Sequence, residues 1–401
     1  MLKIAFYYNH YNTLGHSTRV FSLIKAFKER HGKHTEVLVL RGGVAQDFFP
    51  FERYARVVSL PFSFDKRGLA VESNRRLYHE LTQGGRLNNM LKKRLKICTD
   101  SLEAFSPDIF ITEYYPFGQE FWTFEVPHIL KFLKTKLSCR IVSSAGYLSW
   151  TPGMQDMIKT YYDLLLIHSP GSFARDYEKY LPEEGSRVLK AVFAHCGPKI
   201  HFTGFVKEAF EASRVRKDIS GIPAGWRGKK LILVSRGGGI VNQKIIAASL
   251  LTAKRNKNMV FAIICGPSTP QKEWRAWQKL AKGSANVRLF KSLPPADFIR
   301  LMKKADLCVN MAGYNTSVKL LDFHKPAVLV PYKTTEQLWR ARHLKTLLPV
   351  KIIMEQALNC ETLEKNIHAL LKIVPETGPC RRSWFNGARE SIKILEDHLY
   401  G

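Results

Sequence analysis

Residues 306–332 read "DLCVNMAGYNTSVKLLDFHKPAVLVPY". This stretch opens on the apolar run "DLCVN", turns at Gly313, continues with helical spacing and ends on a second apolar run, "AVLVP". Strand, tight turn, helix and strand in so few residues form the repeating step of a parallel sheet covered by helices. The stretch therefore predicts an α/β fold.

The same alternation runs through the chain in two series. In the first series the apolar runs are "KIAFYYN", "TEVLVL", "ARVVSL", "DIFIT", "CRIVSS", "DLLLIH" and "KIHFTGF". In the second they are "KLILVS", "MVFAIIC", "NVRLF", "DLCVN" and "AVLVP". Between the series, "SGIPAGWRGKK" carries glycine and proline residues that interrupt any regular element. Two α/β domains with mostly parallel sheets are the predicted architecture.

The domain limits follow from this alternation. We predict an N-terminal domain over 1–205, a linker over 206–228 and a C-terminal domain over 229–378. The last segment, 379–401, contains the amphipathic pattern "SWFNGARESIKILEDHLY", a helix that we expect to pack back on the N-terminal domain. A chain of 401 residues with 45% hydrophobic content is long enough for two such cores.

The charge balance is strongly basic, with 62 Lys and Arg against 34 Asp and Glu and a formal net charge of +28. Such a surface attracts anionic partners, whether nucleic acid, anionic lipid or a phosphate-rich substrate. A generally basic, solvated surface is the alternative that charge alone leaves open. Nucleic acid is the least favoured partner, because the sequence has no recognition-helix signature and no basic motif interleaved with aromatic residues.

Cysteine spacing and hydropathy favour a cytoplasmic protein. The seven cysteines show no C-x-x-C or Cys/His spacing, so we expect neither a disulfide framework nor a metal site. We expect no signal peptide, and no apolar run approaches the ~20 residues that cross a bilayer. The segment "GGRLNNMLKKRLKICTDSLEAF" interleaves leucines with basic residues, among them Lys92, Lys93, Arg94 and Lys96. It predicts a helix on an anionic membrane surface or, alternatively, a helix packed on its own sheet.

Three turns are candidate ligand sites, because open α/β sheets bind ligands beyond the carboxyl ends of their strands. "NHYNTLGHSTR" places His16 after the first strand, with His10 as a weaker candidate. "VSRGGGIVNQ", where Arg236 adds a charge, and "NMAGYNTS" are glycine turns at helix starts. Their N–H groups and the helix dipole favour a diphosphate or a carboxylate. Each of the three turns could also simply close a βα unit. Neither of the two glycine turns has the spacing of a P-loop or of a dinucleotide-binding turn.

The string "ADLCVNMAGYNTSVKLLDFHKPAVLVPY", followed by "TEQLWRARHL", resembles the family 28 type of GT-B glycosyltransferase, which includes the N-acetylglucosaminyltransferase of lipid-linked peptidoglycan precursor synthesis. Those enzymes carry a similar M-G-G-Y-N-T, K-P-A, V-P and E-Q-x-x-R-A series. "GHSTR", "FITEYYPFG" and "FTGFV" are similar to a group of bacterial predicted glycosyltransferases. The resemblance spans nearly the full chain and is specific over residues 305–344.

The resemblance implies a GT-B fold, with two Rossmann-like domains and an interdomain cleft. It also implies an inverting, metal-independent hexosyltransferase that needs no cofactor. The donor would be a nucleotide-sugar, in our expectation a UDP-sugar, and the acceptor a hydroxyl group of a glycan or a lipid-linked molecule. Such an enzyme would work in the cytoplasm, peripherally on the inner face of the membrane.

The resemblance also implies a set of site residues. For donor binding it implies Gly237, Gly238, Gly239, Asn315, Thr316, Glu336 and Gln337. Arg236, Gly313 and Lys319 are further candidates because of their positions in the glycine turns and the helix that follows. Glu336 and Gln337 match positions that hydrogen-bond sugar hydroxyls, the alternative for Glu336 being a helix-start cap. His16 matches the candidate catalytic base, since imidazole can take a proton near neutral pH. The alternative for His16 is a solvated turn histidine.

Lys319 is a departure from the family, which has a glutamate there that pairs with the donor ribose. A lysine cannot accept ribose hydroxyls, yet it attracts a diphosphate by roughly 4 kcal/mol for unit charges 4 Å apart at an effective dielectric constant of 20. Three interpretations stay open: a transferase with altered donor recognition, a lysine that faces solvent, or a lost donor site. The corresponding alternatives to a transferase are a nucleotide-sugar hydrolase and a non-catalytic GT-B binding protein.

Overall fold

The computed structural model describes residues 1–10, 15–43, 49–61, 86–118, 125–146, 150, 153–173, 179, 181–209, 222–238, 241–332, 335–373 and 382–400. The chain divides into two compact units. Unit 1 comprises Met1–Ala209 and Arg382–Gly401, and unit 2 comprises Phe210–Arg381.

Unit 1 alternates strands and helices. In chain order its elements are β1 Leu2–Asn9, α1 Gly15–His31, β2 Thr35–Gly42, β3 Arg56–Leu60, α2 Arg86–Phe105, β4 Ile109–Glu113, α3 Val126–Lys136, β5 Arg140–Ala145, α4 Met154–Tyr161, β6 Leu164–Ile167, α5 Glu183–Cys196, β7 Ile200–Phe202 and α12 Gly387–Tyr400.

The sheet of unit 1 is parallel, with strand order β3-β2-β1-β4-β5-β6-β7. The order reverses between β1 and β4, where Ile4 is in register with Ile109. Ligands of open α/β sheets bind at such a reversal, beyond the carboxyl ends of the strands. The elements that follow β1 and β4 therefore frame the candidate site of unit 1.

The core of unit 1 lies between its sheet and helices α1 and α12. Because both faces of β1 are covered, its sequence is almost continuously apolar. Phe21 and Phe27 of α1 pack in one cluster with Ile392 and Leu395 of α12. At the surface of this contact, Arg30 Nε lies 3.1 Å from Glu396 Oε1 of α12.

Helix α2 buries one of its basic residues, Arg94. Arg94 is fully buried, with its Nε 2.7 Å from Glu125 Oε2 and its Nη2 2.8 Å from Asn9 Oδ1. Arg94 is therefore an interior charge, because the buried Glu125 carboxylate requires a cationic partner. Lys92, Lys93 and Lys96 are exposed, as expected.

Unit 2 repeats the pattern of unit 1. In chain order its elements are β8 Lys230–Ser235, α6 Lys244–Arg255, β9 Met259–Ile264, α7 Gln271–Ala281, β10 Val287–Phe290, α8 Pro295–Lys304, β11 Leu307–Asn310, α9 Tyr314–Asp322, β12 Ala327–Leu329, α10 Thr335–Lys345, β13 Val350–Ile352 and α11 Cys360–Leu371.

The parallel sheet of unit 2 has the strand order β10-β9-β8-β11-β12-β13, which reverses between β8 and β11. Ser235 and Asn310 are in register at the carboxyl ends of these two strands, so the two glycine turns that follow them are neighbours. Two parallel-sheet α/β units confirm the predicted fold class. Strand β13 was not predicted, because "VKI" is too short to show a period.

Among the described residues, no helix combines the length and the apolar composition that crossing a membrane requires.

Candidate functional site

His16 lies in the first turn of α1, directly beyond the carboxyl end of β1. Its side chain is 22% exposed, and its Nδ1 lies 3.0 Å from Oε1 of the buried Glu113, the last residue of β4. The histidine and the carboxylate thus meet at the reversal of strand order in unit 1. The ring of Tyr114 lies beside the imidazole, with ring centroids 5.6 Å apart.

Arg19 supplies the positive charge that keeps Glu113 ionised. It lies three residues after His16, which places both side chains on the same face of α1. Its Nε and Nη2 donate to Glu113 Oε1 at 2.9 and 2.5 Å. Burial alone raises the pKa of Glu113, but the charge of Arg19 and the hydrogen bonds from His16 and Arg19 outweigh it and lower that pKa to about 2.

The second oxygen of Glu113 begins a chain of buried side chains along the carboxyl edge of the sheet. Ser144 Oγ of β5 donates to Glu113 Oε2 at 2.9 Å. The same Oγ lies 2.9 Å from His168 Nε2, and His168 Nδ1 lies 2.9 Å from Thr203 Oγ1. Burial, and next the charge of Arg19, lower the pKa of His168 to about 3, so its ring is neutral at physiological pH.

His10, the weaker histidine candidate, is buried and stacks on Tyr8 with ring centroids 6.0 Å apart. Its backbone N–H donates to Gly42 O at 3.0 Å. The structure therefore places His10 in the interior of unit 1, whereas His16 lies partly exposed at its edge.

Arg236, the first residue after β8, is buried inside unit 2. Its Nε donates to Cys265 O at 2.7 Å, its Nη2 lies 3.1 Å from Glu273 Oε2, and its guanidinium lies 4.6 Å from the ring centroid of Trp277. Burial lowers the pKa of Arg236 although Glu273 opposes this. In this structure the charge expected to face a ligand is instead neutralised by Glu273.

The glycine turn after β8 is open on its Gly237 side. Gly237 has φ +70°, which favours glycine, and a Cβ built there meets no atom of the described residues within 4 Å. Gly238 O accepts from Ser268 N at 3.0 Å. Gly239, a further predicted residue of this turn, lies outside the described residues.

The turn after β11 leads into α9, whose first residue follows Gly313. Among the described residues, no side chain caps this helix start. A Cβ built at Gly313 also meets no described atom within 4 Å. Asn315 and Thr316, in the first turn, are half-buried. In the described part of the chain, no side-chain cap competes with an anion for the N–H groups of Asn315 and Thr316.

Lys319 is only 9% exposed. Its Nζ lies 3.5 Å from Asn315 O and 5.7 Å from the ring centroid of Phe298 in α8. Helical side chains lean toward the helix N-terminus, so the ammonium group lies over the first turn of α9. The interpretation in which Lys319 faces solvent is therefore wrong.

Glu336 and Gln337, in the first turn of α10, hold the neighbouring turns. Glu336 pairs with Arg340, whose Nη1 donates to Ala312 O at 2.8 Å. Gln337 Oε1 accepts from Tyr332 N at 2.9 Å. Arg340 thus connects Glu336 to the turn that starts α9, whereas Gln337 binds the backbone after β12.

Sequence reasoning missed five of the residues that build these sites: Arg19, Glu113, Ser144, His168 and Arg340. Three of them share one signal in the sequence, which is their position at the carboxyl end of a strand. Glu113 and Ser144 lie at the ends of apolar strands, and His168 directly follows one, where a polar residue is brought to the ligand edge of the sheet. The helix residues Arg19 and Arg340 lie within the motifs "GHSTR" and "TEQLWRARHL", but nothing in the sequence indicated their partners.

Comparison with known proteins gives a family match for unit 2. Residues 231–376 match the glycosyltransferase family 28 C-terminal domain. Over 150 residues the chain is 30% identical to the UDP-N-acetylglucosamine–N-acetylmuramyl-(pentapeptide) pyrophosphoryl-undecaprenol N-acetylglucosamine transferase of Geobacillus kaustophilus. That match covers 36% of this chain and 39% of the enzyme, so the chain spans about two-fifths of the curated relative.

Solved structures match the whole chain at low identity. The glycotransferase of kitacinnamycin superposes with a TM-score of 0.67 at 14% identity, over 98% of each chain. MurG of Acinetobacter baumannii superposes with a TM-score of 0.60 at 11% identity, over 99% of this chain and 100% of that one. Identities this low establish similarity of fold alone.

Proposed function

We propose that this chain, which has a GT-B fold and matches the glycosyltransferase family 28 C-terminal domain at residues 231–376, is a glycosyltransferase. Its donor is a nucleotide-sugar. The enzyme transfers a hexose from a nucleoside-diphosphate donor to an acceptor hydroxyl. The observation that carries the proposal is the His16–Glu113 pair at the strand reversal of unit 1, in a chain whose other unit has the family 28 match.

His16 acts as the general base. Glu113 is ionised and accepts hydrogen bonds only, so His16 Nδ1 carries the proton in that contact and Nε2 presents a lone pair. Nε2 takes the proton of the acceptor hydroxyl while the acceptor oxygen bonds to the anomeric carbon. The bond from that carbon to the diphosphate breaks, and the diphosphate leaves with the electron pair. Attack opposite the leaving group inverts the anomeric configuration.

Unit 2 holds the donor. The N–H groups at the start of α9 and the glycine turn at Gly237 and Gly238 stabilise the charge that develops on the leaving diphosphate. Lys319 adds a positive charge over the same helix turn. Glu336, whose partner Arg340 bonds to this turn, and its neighbour Gln337 meet the sugar hydroxyls. This set provides the charge stabilisation without a metal ion, and a UDP-sugar is the donor we expect.

The acceptor is a glycan or a lipid-linked molecule with anionic groups. The net charge of +28 and the exposed Lys92, Lys93 and Lys96 of α2 favour an anionic partner. The curated relative is named for a pyrophosphoryl-undecaprenol acceptor, which is of this chemical type. We therefore propose that the enzyme works in the cytoplasm, peripherally on an anionic membrane surface.

Calorimetric titration with a panel of nucleoside diphosphates and nucleotide-sugars tests the donor assignment. The titrations contain EDTA and are run at two salt concentrations. Selective binding of one diphosphate at both salt concentrations is expected. Binding of none, or equal and salt-sensitive binding of all, would contradict the transferase and favour a non-catalytic binding protein in which Lys319 marks a lost donor site.

A second assay separates transfer from hydrolysis. The bound nucleotide-sugar is incubated with and without candidate acceptors, and free sugar and glycosylated product are quantified. A transferase forms product only with an acceptor. Release of free sugar at an equal rate without any acceptor would identify a hydrolase, with water in place of the acceptor hydroxyl at His16.

A further inference from the structure

Glu113 is the end point of an ordered chain of hydrogen bonds in unit 1. Thr203, His168 and Ser144 follow one another at separations of 2.9 Å, and Ser144 reaches Glu113 Oε2 at 2.9 Å. All four side chains are buried, and they come from the carboxyl ends of four neighbouring strands, β4 to β7. The proposed mechanism uses His16 and Glu113 but assigns no role to the rest of this chain.

The direction of the bonds follows from counting hydrogens. The Ser144 hydroxyl has one hydrogen, and it points to the ionised Glu113. Ser144 Oγ must therefore accept from His168 Nε2, which places the proton of the neutral ring on Nε2. His168 Nδ1 then carries a lone pair.

The last bond whose direction must be assigned joins Thr203 to His168. The Thr203 hydroxyl lies 2.9 Å from His168 Nδ1, 2.9 Å from Gly204 O and 3.4 Å from Ile167 O. If the hydrogen pointed to either carbonyl, a lone pair of Thr203 Oγ1 would face the lone pair of His168 Nδ1 across 2.9 Å unless His168 were cationic. Burial opposes a cationic ring. The Thr203 hydroxyl therefore donates to His168 Nδ1, and every donor in the chain points toward Glu113.

We propose that Ser144, His168 and Thr203 are positioning residues, which act through Glu113 to fix the proton of His16 on Nδ1 and so direct its Nε2 at the acceptor hydroxyl. The inference rests on the proposed function for the role of His16 as base. With Ser144 on Oε2, and with His16 and Arg19 on Oε1, the carboxylate is held at both oxygens.

The titratable and charged groups around His16 come from several elements. Arg19 lies on the same helix as His16, Glu113 is the last residue of β4, and Tyr114 follows Glu113 directly. His168, which follows β6, is connected to Glu113 through Ser144. A carboxylate that loses one donor interacts more strongly with the remaining cations. Loss of the Ser144 bond should therefore favour the protonated form of His16.

Two substitutions test the chain and a third is a matched control. Ser144→Ala removes the donor to Glu113. Thr203→Val removes the donor to His168, so that the ring proton can move to Nδ1 and Nε2 can draw the Ser144 hydrogen away from Glu113. Ser143→Ala removes an equally buried hydroxyl from the same strand, but Ser143 donates to Tyr115 O at 2.8 Å and does not contact Glu113.

Two readouts are taken on the full-length variants. The first is the protonation state and titration of the His16 ring by ¹⁵N and ¹H NMR, which needs no enzymatic activity. The second is the pH profile of kcat/KM in the transfer assay. We expect Ser144→Ala and Thr203→Val to move the His16 titration and the acid limb of kcat/KM to higher pH. We expect kcat about tenfold lower, equivalent to about 1.4 kcal/mol, at an unchanged donor KM.

The control should superimpose on the wild-type protein in both readouts, even if all three variants lose thermal stability. Superposition of the His16 titrations of Ser144→Ala and Thr203→Val on that of Ser143→Ala would overturn the proposal. Absence of sugar transfer by the wild-type protein would instead contradict the proposed function, and the NMR titration would still decide whether the chain controls His16.

Discussion

At the scale of single residues, Glu113 determines what the site in unit 1 can do. It is a buried carboxylate that stays ionised because Arg19 pairs with it and because hydrogen bonds reach both of its oxygens. Removing one partner of such a buried pair typically costs about 3–5 kcal/mol, since the other charge is left uncompensated. Glu113 can therefore orient His16 without accepting its proton.

His168 should make unit 1 sensitive to mild acid. In the folded chain its pKa is lowered from 6.5 to about 3, so the unfolded chain binds a proton that the folded chain rejects. The contribution of the neutral His168 ring to the free energy of unfolding is fully present above pH 6.5, and it is lost as the pH falls from 6.5 toward 3. His168→Gln should therefore reduce the dependence of the unfolding midpoint on pH between 7 and 4.5, as measured by chemical denaturation.

The control for this prediction is His195→Gln, which replaces an exposed histidine of α5. It should leave the dependence on pH as in the wild-type protein. An identical dependence in His168→Gln and wild type would show that the buried ring does not limit stability in acid.

At the scale of elements, the start of α9 is the proposed site of the diphosphate, and Lys319 lies over it. Lys319→Ala should weaken the binding of the nucleoside diphosphate about tenfold in calorimetry, since hydrogen bonds to charged groups contribute about 1.5–3 kcal/mol. Lys303→Ala is the matched control, because Lys303 also lies against a phenylalanine ring, 5.1 Å from the centroid of Phe323. Equal affinity and rate in Lys319→Ala and wild type would refute the contact with the ligand.

Helix α10 holds the turn before α9 through Arg340. Arg340→Met removes the bond to Ala312 O and the pair with Glu336, so the turn should lose its fixed position. We expect the donor KM to rise about tenfold while the acceptor KM stays unchanged. Arg342→Met, an exposed residue of the same helix, is the control, and equal donor KM values in both variants would contradict the role of Arg340.

The sequence predicted the strands and helices better than it predicted the partners of the charged residues. Apolar runs and glycine turns predicted the strands from β1 to β12, because a parallel strand buried on both faces shows its identity locally. Arg94 and Arg236 could not be placed, because their partners Glu125 and Glu273 are 31 and 37 residues away in the chain. His16 was predicted from its turn, but its partner Glu113 is 97 residues distant.

At the scale of the whole molecule, the net charge of +28 should produce binding to anionic surfaces. We expect the protein to float with vesicles that contain anionic lipid at low salt, and to dissociate at high salt as the charges are screened. Vesicles of zwitterionic lipid are the control. Absence of binding to anionic vesicles at low salt would exclude the membrane surface and leave a soluble anionic glycan as the acceptor.

We expect the anionic vesicles to bind at the exposed lysines of α2. Replacing Lys92, Lys93 and Lys96 together by Gln should reduce flotation more than replacing three exposed lysines of unit 2, Lys254, Lys257 and Lys272. An equal reduction by both triple variants would assign the binding to the overall charge of the protein.

The role of His16 as the base is tested by the rate of sugar transfer by His16→Ala, measured together with its affinity for the donor. We expect calorimetry to show that donor binding is retained, and we expect kcat to fall about 10²- to 10⁴-fold, the usual contribution of a general base. Glu113→Gln should lower kcat in the same assay. Transfer by His16→Ala at the wild-type rate, with donor binding intact, would contradict the assignment of His16 as the base.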